Sequence, residues 1–437
     1  MRRGWAAVWT FALVAVACTS SGSSTGSSSG PAATGSAGTT APVHISFWHG
    51  QAGVAQRAYE SLIADFNASH PDVVVDASSG GATTDNMLAK VTTAIAAGTY
   101  PDVAYLYGSW SANIVTSGKV ADLSTFTADP AFGWDDYWPP LQEAATVQGK
   151  VIGVPAAAGN LTVVYNKDLF EQAGVAVPTP DWTWDDFRAA AAALTDDSTN
   201  TYGTSWPVTG DEDTVWRFWP LLWQQGGDIL SEDGSSVAFN SEAGVRALTF
   251  LQQMAQDGSI YQDSTDEKGA ELFFSGHLGM LVTGPWVLPD VQAAKIHYGV
   301  QVMPAFTDAH TTVAGADNWV VFDHEDPARV EAAVEFLSWL TAPEQDMRYA
   351  LQAGSMPIRE GSTELPDYQE YVDRFPGVDT MVTSLGDARS RPAIKQYPRL
   401  SAFVGQAIVA VLLGEKDPQT ALDEAAEQAN ALLVVPG

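Results

Sequence analysis

From His44 onward the chain alternates short apolar runs with helix-period runs, and that rhythm limits the fold more than any other feature. His44-Ile45-Ser46-Phe47-Trp48 reads as a strand, Ala55 to Phe66 as an amphipathic helix, and Val73-Val74-Val75 as a second strand. Asp85 to Ala97 carries Met87, Leu88, Val91 and Ile95 at helical spacing, and Val103-Ala104-Tyr105-Leu106 follows as a third strand. The rhythm returns with a strand at Leu161 to Tyr165 and helices at Asp185 to Leu194, Val245 to Met254, Arg329 to Leu340 and Ser401 to Leu413. Strands joined by helices of this length are βαβ units, whose strands run in the same direction. The expected class is α/β, with mainly parallel sheets flanked by helices. About 395 residues follow the N-terminal region, enough for two lobes.

Met1-Arg2-Arg3 precedes an apolar stretch, Trp5 to Ala17, too short to span a bilayer and laid out as a signal peptide over residues 1–17. Cys18, the only cysteine, stands where cleavage would fall. The arrangement resembles the lipobox of bacterial lipoproteins, in which this thiol is lipidated, although Ala15 occupies the position where leucine is usual. Arg2-Arg3 also fits a twin-arginine export signal. Residues 18–42 are nearly all Ser, Gly, Thr and Ala, too polar and small to bury a core, and are expected to act as a flexible tether. Gly22-Ser23-Ser24-Thr25-Gly26 matches a hydrolase elbow by letter but lacks the flanking strand and helix. A single cysteine rules out an intrachain disulfide or a Cys-based metal site. The expectation is an exported lipoprotein on the outer face of a bacterial cytoplasmic membrane, touching that membrane only through its lipid.

A formal net charge of −31 argues against nucleic acid and anionic lipid surfaces as partners. Enzyme signatures are missing: there is no HExxH, P-loop or dinucleotide fingerprint, and no pair of histidines at zinc-face spacing. No cofactor or metal is expected. Asp135-Asp136 and Asp185-Asp186 are adjacent acids at helix starts, where they suit the helix dipole better than catalysis. The 15 tryptophans point elsewhere. A sugar ring has an apolar face of C–H groups and a rim of hydroxyls, so its receptor needs flat aromatic surfaces edged by polar side chains. Tryptophans also fill cores, and that reading competes at every position.

Several segments together carry a family resemblance: Ser46-Phe47-Trp48-His49-Gly50, Ala97-Gly98-Thr99-Tyr100-Pro101-Asp102-Val103, Tyr165-Asn166-Lys167-Asp168-Leu169-Phe170 and Thr183-Trp184-Asp185-Asp186-Phe187. Phe274-Ser275-Gly276-His277-Leu278-Gly279-Met280, Gly284-Pro285-Trp286, Tyr298-Gly299-Val300 with Met303-Pro304, and Gly354-Ser355-Met356-Pro357-Ile358-Arg359 follow in order. From about residue 43 to the end the chain resembles the extracellular solute-binding proteins of the maltose-type class, carbohydrate receptors of ABC importers. The resemblance implies a two-lobed periplasmic-binding-protein fold with hinge strands: residues 43–165 plus 304–341 in one lobe, 166–303 plus 342–437 in the other. It implies a monomer, without enzymatic activity, that captures a mono- or oligosaccharide between the lobes and delivers it to permease subunits.

By position in those motifs, Trp286 matches a stacking tryptophan, and Trp216 keeps one ring of an aromatic pair whose second place is taken by Arg217. Ser109, beside Trp110, falls where these receptors often carry an acid, and Trp206 lies at a predicted strand end. Trp48, His49 and Gln51 leave the C-terminal end of the first strand, where ligands sit in open α/β sheets. Gly315, Asp317 and Asn318 lead into a later strand and offer groups for sugar hydroxyls, with Asx turn chemistry as the competing reading. Arg399 aligns with a phosphate-binding arginine of the related glycerol-3-phosphate receptors. A receptor for glycerol-3-phosphate or a glycerophosphodiester is therefore the alternative reading, and a secreted glycoside hydrolase a more distant one.

Overall fold

Alternation along Val43–Trp48, with Ile45 and Phe47 buried and His44 exposed, makes this segment the first strand, β1. It is followed by β2 (Val73–Ser78), β3 (Val103–Tyr107), the short pair β4 (Thr146–Val147) and β5 (Lys150–Val151), β6 (Gly153–Asn160) and β7 (Thr162–Asn166). The later strands are β8 (Thr204–Pro207), β9 (Ile260–Asp263), β10 (Met280–Thr283), β11 (Tyr298–Gln301), β12 (Thr312–Val321) and β13 (Ala388–Arg389). The computed structural model describes residues 41–433 apart from 82, 83, 85 and 266. The expectations for the signal peptide, for Cys18 and for nearly all of the tether fall on residues 1–40, outside that range.

β1 lies between β2 and β3 and runs parallel to both, with helices Gly53–Ser69 and Met87–Ala97 as the crossovers. β3 is buried on both faces. Val103 and Tyr105 join a core with Ile45, Phe47, Leu62, Phe66, Trp319 and Phe336, whereas Ala104 and Leu106 meet Met87, Val91 and Ile114. β12 adds to β3 in antiparallel fashion, pairs antiparallel with β6 and parallel with β13, and completes a six-stranded sheet. Asp102, at the end of the Tyr100-Pro101-Asp102 turn, is 1 % exposed and takes a bidentate pair from Arg329 (2.7 and 2.6 Å) besides the backbone N–H and hydroxyl of Ser46. This motif acid locks the sheet to helix Pro327–Leu340, an ion pair whose burial is offset by four donors.

The two-lobed α/β class is the one expected, and one sheet in it is antiparallel. β7 is the centre of a three-stranded sheet and is antiparallel to both neighbours, β10 and β11. β10 and β11 run the same way, joined through helix Leu288–Ala293, as the strand–helix–strand rhythm predicts. The strand between them arrives from more than a hundred residues earlier and runs the other way, which no local pattern encodes. β8 and β9 form a separate parallel pair. A second core packs here, with Trp184, Phe187, Trp219, Leu222, Tyr397, Leu400 and Ile408 among its members. Leu161 alone separates β6 in the six-stranded sheet from β7 in the three-stranded one, and residues 302–311 connect β11 back to β12.

Candidate functional site

Gly159 on β6 and Gly315 on β12 face each other across the antiparallel ladder, so at this register the two strands present only backbone. Two indoles use that bare floor. A Cβ on Gly159 would lie 3.0 Å from Cζ3 of Trp286, and one on Gly315 would lie 3.5 Å from Cζ3 of Trp216. Trp286 is held over the floor by the short turn Pro285–Val287 that follows β10, and Trp216 by helix Glu212–Trp216. Their ring centroids are 5.8 Å apart with planes inclined at 32°. Trp286 is 44 % exposed, unusual for so large an apolar group, and leaves an indole face open to solvent.

Polar groups edge the pair. The Trp216 indole N–H donates to Asp213 Oδ1 (3.2 Å), and Arg217 is pinned by the same carboxylate (2.6 Å) and by the carbonyl of Val282. The Arg391 guanidinium sits 5.5 Å from the Trp216 ring centroid and donates to Glu212 Oε1 (2.7 Å). That oxygen also accepts from the Tyr397 hydroxyl (2.8 Å), and the tyrosine oxygen accepts from the Trp219 indole (2.9 Å). Burial opposes the charge on Arg391, but Glu212 and then Tyr397 outweigh it and hold the guanidinium protonated. Burial and then Glu212 push the Tyr397 phenol well above its ordinary range. On the strand itself, Asp317 accepts from the buried Tyr105 hydroxyl (2.6 Å), which burial and then Asp317 likewise push upward.

A cavity of ≈ 120 Å³ adjoins this cluster on the side of β12 that carries Ala314 and Ala316. Gly108, Ser109 and Glu143 line one wall, and Asp228, Ser390 and Arg391 line the other. The Ser109 and Ser390 hydroxyl oxygens are buried and have no hydrogen-bond partner among the described residues. Orphaned hydroxyls at a cavity wall are groups a polar ligand can satisfy. Gly108 is needed for packing: a Cβ there would lie 2.3 Å from the Ala316 carbonyl oxygen.

Of the residues expected from sequence, the structure brings Trp216, Trp286, Arg217 and Gly315 together, with Asp317 on the same face of β12 as Gly315, whereas Ser109 lines the adjoining cavity on the Ala314–Ala316 side. Others lie elsewhere. Trp110 is buried against Tyr107 (centroids 4.4 Å apart), and Trp206 is buried in the second core. Asn318 is fully buried on the opposite face of β12 from Asp317, where its amide donates to Ser111 Oγ and the Ala144 carbonyl. His49, 1 % exposed, accepts from the Gln51 backbone N–H through Nδ1, and burial lowers its pKa. Trp48 is half-buried beneath Gly80 with the Lys90 ammonium 5.7 Å from its ring; Gln51 is half-buried at the same strand end. Arg399 is exposed and makes no ion pair among the described residues. The arginine at the cavity is Arg391, eight positions earlier. Sequence reasoning missed Arg391, Glu212, Ser390 and Tyr397 because Arg391 and Glu212 are 179 residues apart and neither sits in a periodic pattern. The one local hint was Glu212 four residues before Trp216, on the same helix face.

Residues 61–376 match the family described as bacterial extracellular solute-binding protein. The chain belongs to that family. Among solved structures of solute-binding proteins, it is similar to the cyclic α-maltosyl-1,6-maltose binding protein from Arthrobacter globiformis (30 % identity, TM-score 0.77, covering 90 % of this chain and 99 % of that one). It is also similar to an ABC substrate-binding protein from Listeria monocytogenes in complex with cycloalternan (29 % identity, TM-score 0.80, covering 90 % and 100 %). Among curated proteins it is 26 % identical over 416 residues to the sn-glycerol-3-phosphate-binding periplasmic protein UgpB of Pectobacterium atrosepticum, covering 91 % of this chain and 93 % of that one. Among the described residues of this solute-binding protein, no helix is long and apolar enough to cross a membrane, and no cluster of His, Cys, Asp and Glu is arranged to hold a metal.

Proposed function

We propose that the protein captures a sugar, a mono- or oligosaccharide, in the cleft between two lobes and delivers it to the permease of an ABC importer. The observation that carries this reading is the Trp216–Trp286 pair over the Gly159–Gly315 floor, beside a cavity walled by unpaired hydroxyls. An indole face takes the C–H face of a pyranose, and Ser, Asp and Arg groups take its hydroxyl rim. The similar structures, one named for binding cyclic α-maltosyl-1,6-maltose and one in complex with cycloalternan, support the same class. Lobes at residues 43–165 plus 304–341 and 166–303 plus 342–437, with the chain crossing near Tyr165, near Pro304 and after Thr341, would close on the ligand by a population shift. Anchoring through Cys18 at the outer face of the membrane, as a monomer, would keep the receptor beside its permease.

Arg391 at the cavity wall, together with relatives named for glycerol-3-phosphate, supports the second reading, a receptor for glycerol-3-phosphate or a glycerophosphodiester. A thermal-shift screen separates the two, because a ligand that binds only the native state raises Tm by mass action. The expected outcome is a shift with one or more of glucose, maltose, trehalose and maltotriose. Trp286→Ala should weaken that ligand by about tenfold or more, since losing an aromatic contact costs on the order of 1.5 kcal/mol. A shift with glycerol-3-phosphate or glycerophosphocholine alone would transfer the assignment to the second reading, and silence across the saccharides would reject the first.

A further inference from the structure

The charge balance around the cavity deepens the reading as a sugar receptor, on which it rests. Three arginines approach the indole pair and cavity, and each already has a carboxylate: Arg217 with Asp213 at 2.6 Å, Arg389 with Asp228 at 2.7 Å and Arg391 with Glu212 at 2.7 Å. Glu143 on the cavity wall and Asp317 on β12 add two further acids, so carboxylates outnumber guanidinium groups. The three pairs differ in depth. Arg389 and Asp228 are each about half exposed, and solvent screens them. Arg391 and Glu212 have side chains only 6 % and 18 % exposed, where solvent and salt screen charges much less.

We propose that Glu212 sets the charge selectivity of the site: by neutralising Arg391 it makes the cleft specific for uncharged polyhydroxylated ligands and closes it to phosphate esters. Among the described residues, the one buried cation on the cavity wall is already spent on an acid of this chain. A phosphate placed against Arg391 would lie beside Glu212 and in the field of Asp317, and like charges brought together in a desolvated interface are strongly unfavourable. A neutral hydroxyl meets no such penalty. Glu212 Oε2 is buried and has no partner among the described residues, so the acid retains an unspent acceptor beside Arg391. The Tyr397 hydroxyl, itself held by the Trp219 indole N–H, donates to the other oxygen and fixes the carboxylate at this spot.

The test is calorimetric titration of matched pairs, glucose with glucose 6-phosphate and trehalose with trehalose 6-phosphate, plus sn-glycerol 3-phosphate. It uses the wild-type protein, Glu212→Gln, Glu212→Asp and Arg391→Gln, each checked for folding by its melting transition. Wild type should bind a neutral sugar at least about tenfold tighter than its phosphate ester. Glu212→Gln should shrink that ratio by about tenfold or more, Glu212→Asp should restore it, and Arg391→Gln should widen it. A packing role alone would weaken both members of a pair equally and leave the ratio unchanged. An unchanged ratio in Glu212→Gln with sugar binding intact would overturn this inference and leave the sugar reading standing. If Glu212→Gln does not fold, a ratio that does not widen in Arg391→Gln overturns it instead. Tight wild-type binding of sn-glycerol 3-phosphate would overturn both.

Discussion

Burial of single ionisable groups shapes how stability depends on pH. Asp263, at the end of β9, is 2 % exposed, and one of its carboxylate oxygens has no partner among the described residues. Burial pushes its pKa from 3.8 up to about 6, only partly opposed by Ser205 and Arg217. A carboxyl whose folded pKa exceeds its unfolded value binds more protons in the folded state, so stability falls as pH rises between about 4 and 6 and then levels off. Asp263→Asn cannot ionise. Its stability relative to wild type should therefore rise across that window and stay higher at pH 8, which urea denaturation at pH 4, 5, 6 and 8 would read directly. Asp346, pushed by burial to about 7, tilts the wild-type curve in the same sense, but it is common to both proteins and cancels in the difference. At this scale the sequence was a mixed guide. Trp286 was singled out by its place in the Gly284-Pro285-Trp286 motif, and the structure leaves it 44 % exposed. Trp110 and Trp206 were not separable from it by residue type, since whether an indole fills a core or faces a cleft depends on what packs on it.

Elements were read more securely, because their signals are local. Helix Trp184–Leu194 begins where Thr183 and Asp186 announce it. The Thr183 hydroxyl accepts from the Asp186 backbone N–H (3.1 Å), and the Asp186 carboxylate accepts from the Thr183 backbone N–H (2.9 Å), a complete capping box. The adjacent acids Asp185-Asp186 thus serve the helix start, as their place in the sequence implies. Thr183→Ala should cost about 1 kcal/mol of stability in urea denaturation while leaving sugar affinity unchanged, since the cap bonds are exposed and join only Thr183 and Asp186. Helices Gly53–Ser69 and Pro327–Leu340 overlap the segments expected from apolar periodicity. The antiparallel sheet around β7 was out of reach at this scale. Each strand is visible in its own residues, but its neighbour is chosen by chain segments far away.

On the scale of the whole molecule, one buried arginine ties distant segments. Arg359, 3 % exposed, donates to the carbonyls of Thr341, Gly133 and Phe132 and to the Tyr137 hydroxyl, with its guanidinium 3.9 Å from the Tyr137 ring centroid. Asp136 lies 3.5 Å away, and Asp346 accepts the backbone N–H groups of Ile358 and Arg359 and the Ser362 hydroxyl. The Gly354–Arg359 motif therefore fastens residues 132–137 to the region after Thr341. Arg359→Met should cost on the order of 3–5 kcal/mol, because it strands several buried acceptors at once. Arg359→Lys should not rescue it, for an ammonium cannot reproduce the planar fork of donors; a large fall in Tm for both variants checks the argument.

The amino-acid sequence by itself determined the α/β class and most helices and strands, because periodicity, capping and turn motifs act over a few residues, and its ordered motifs carried the resemblance to the solute-binding family. Tertiary structure alone decided which arginine reaches the cavity, which acid neutralises it and which strands neighbour β7. Those contacts join residues more than a hundred positions apart, and a one-dimensional pattern carries no record of which distant side chains folding will bring within 3 Å.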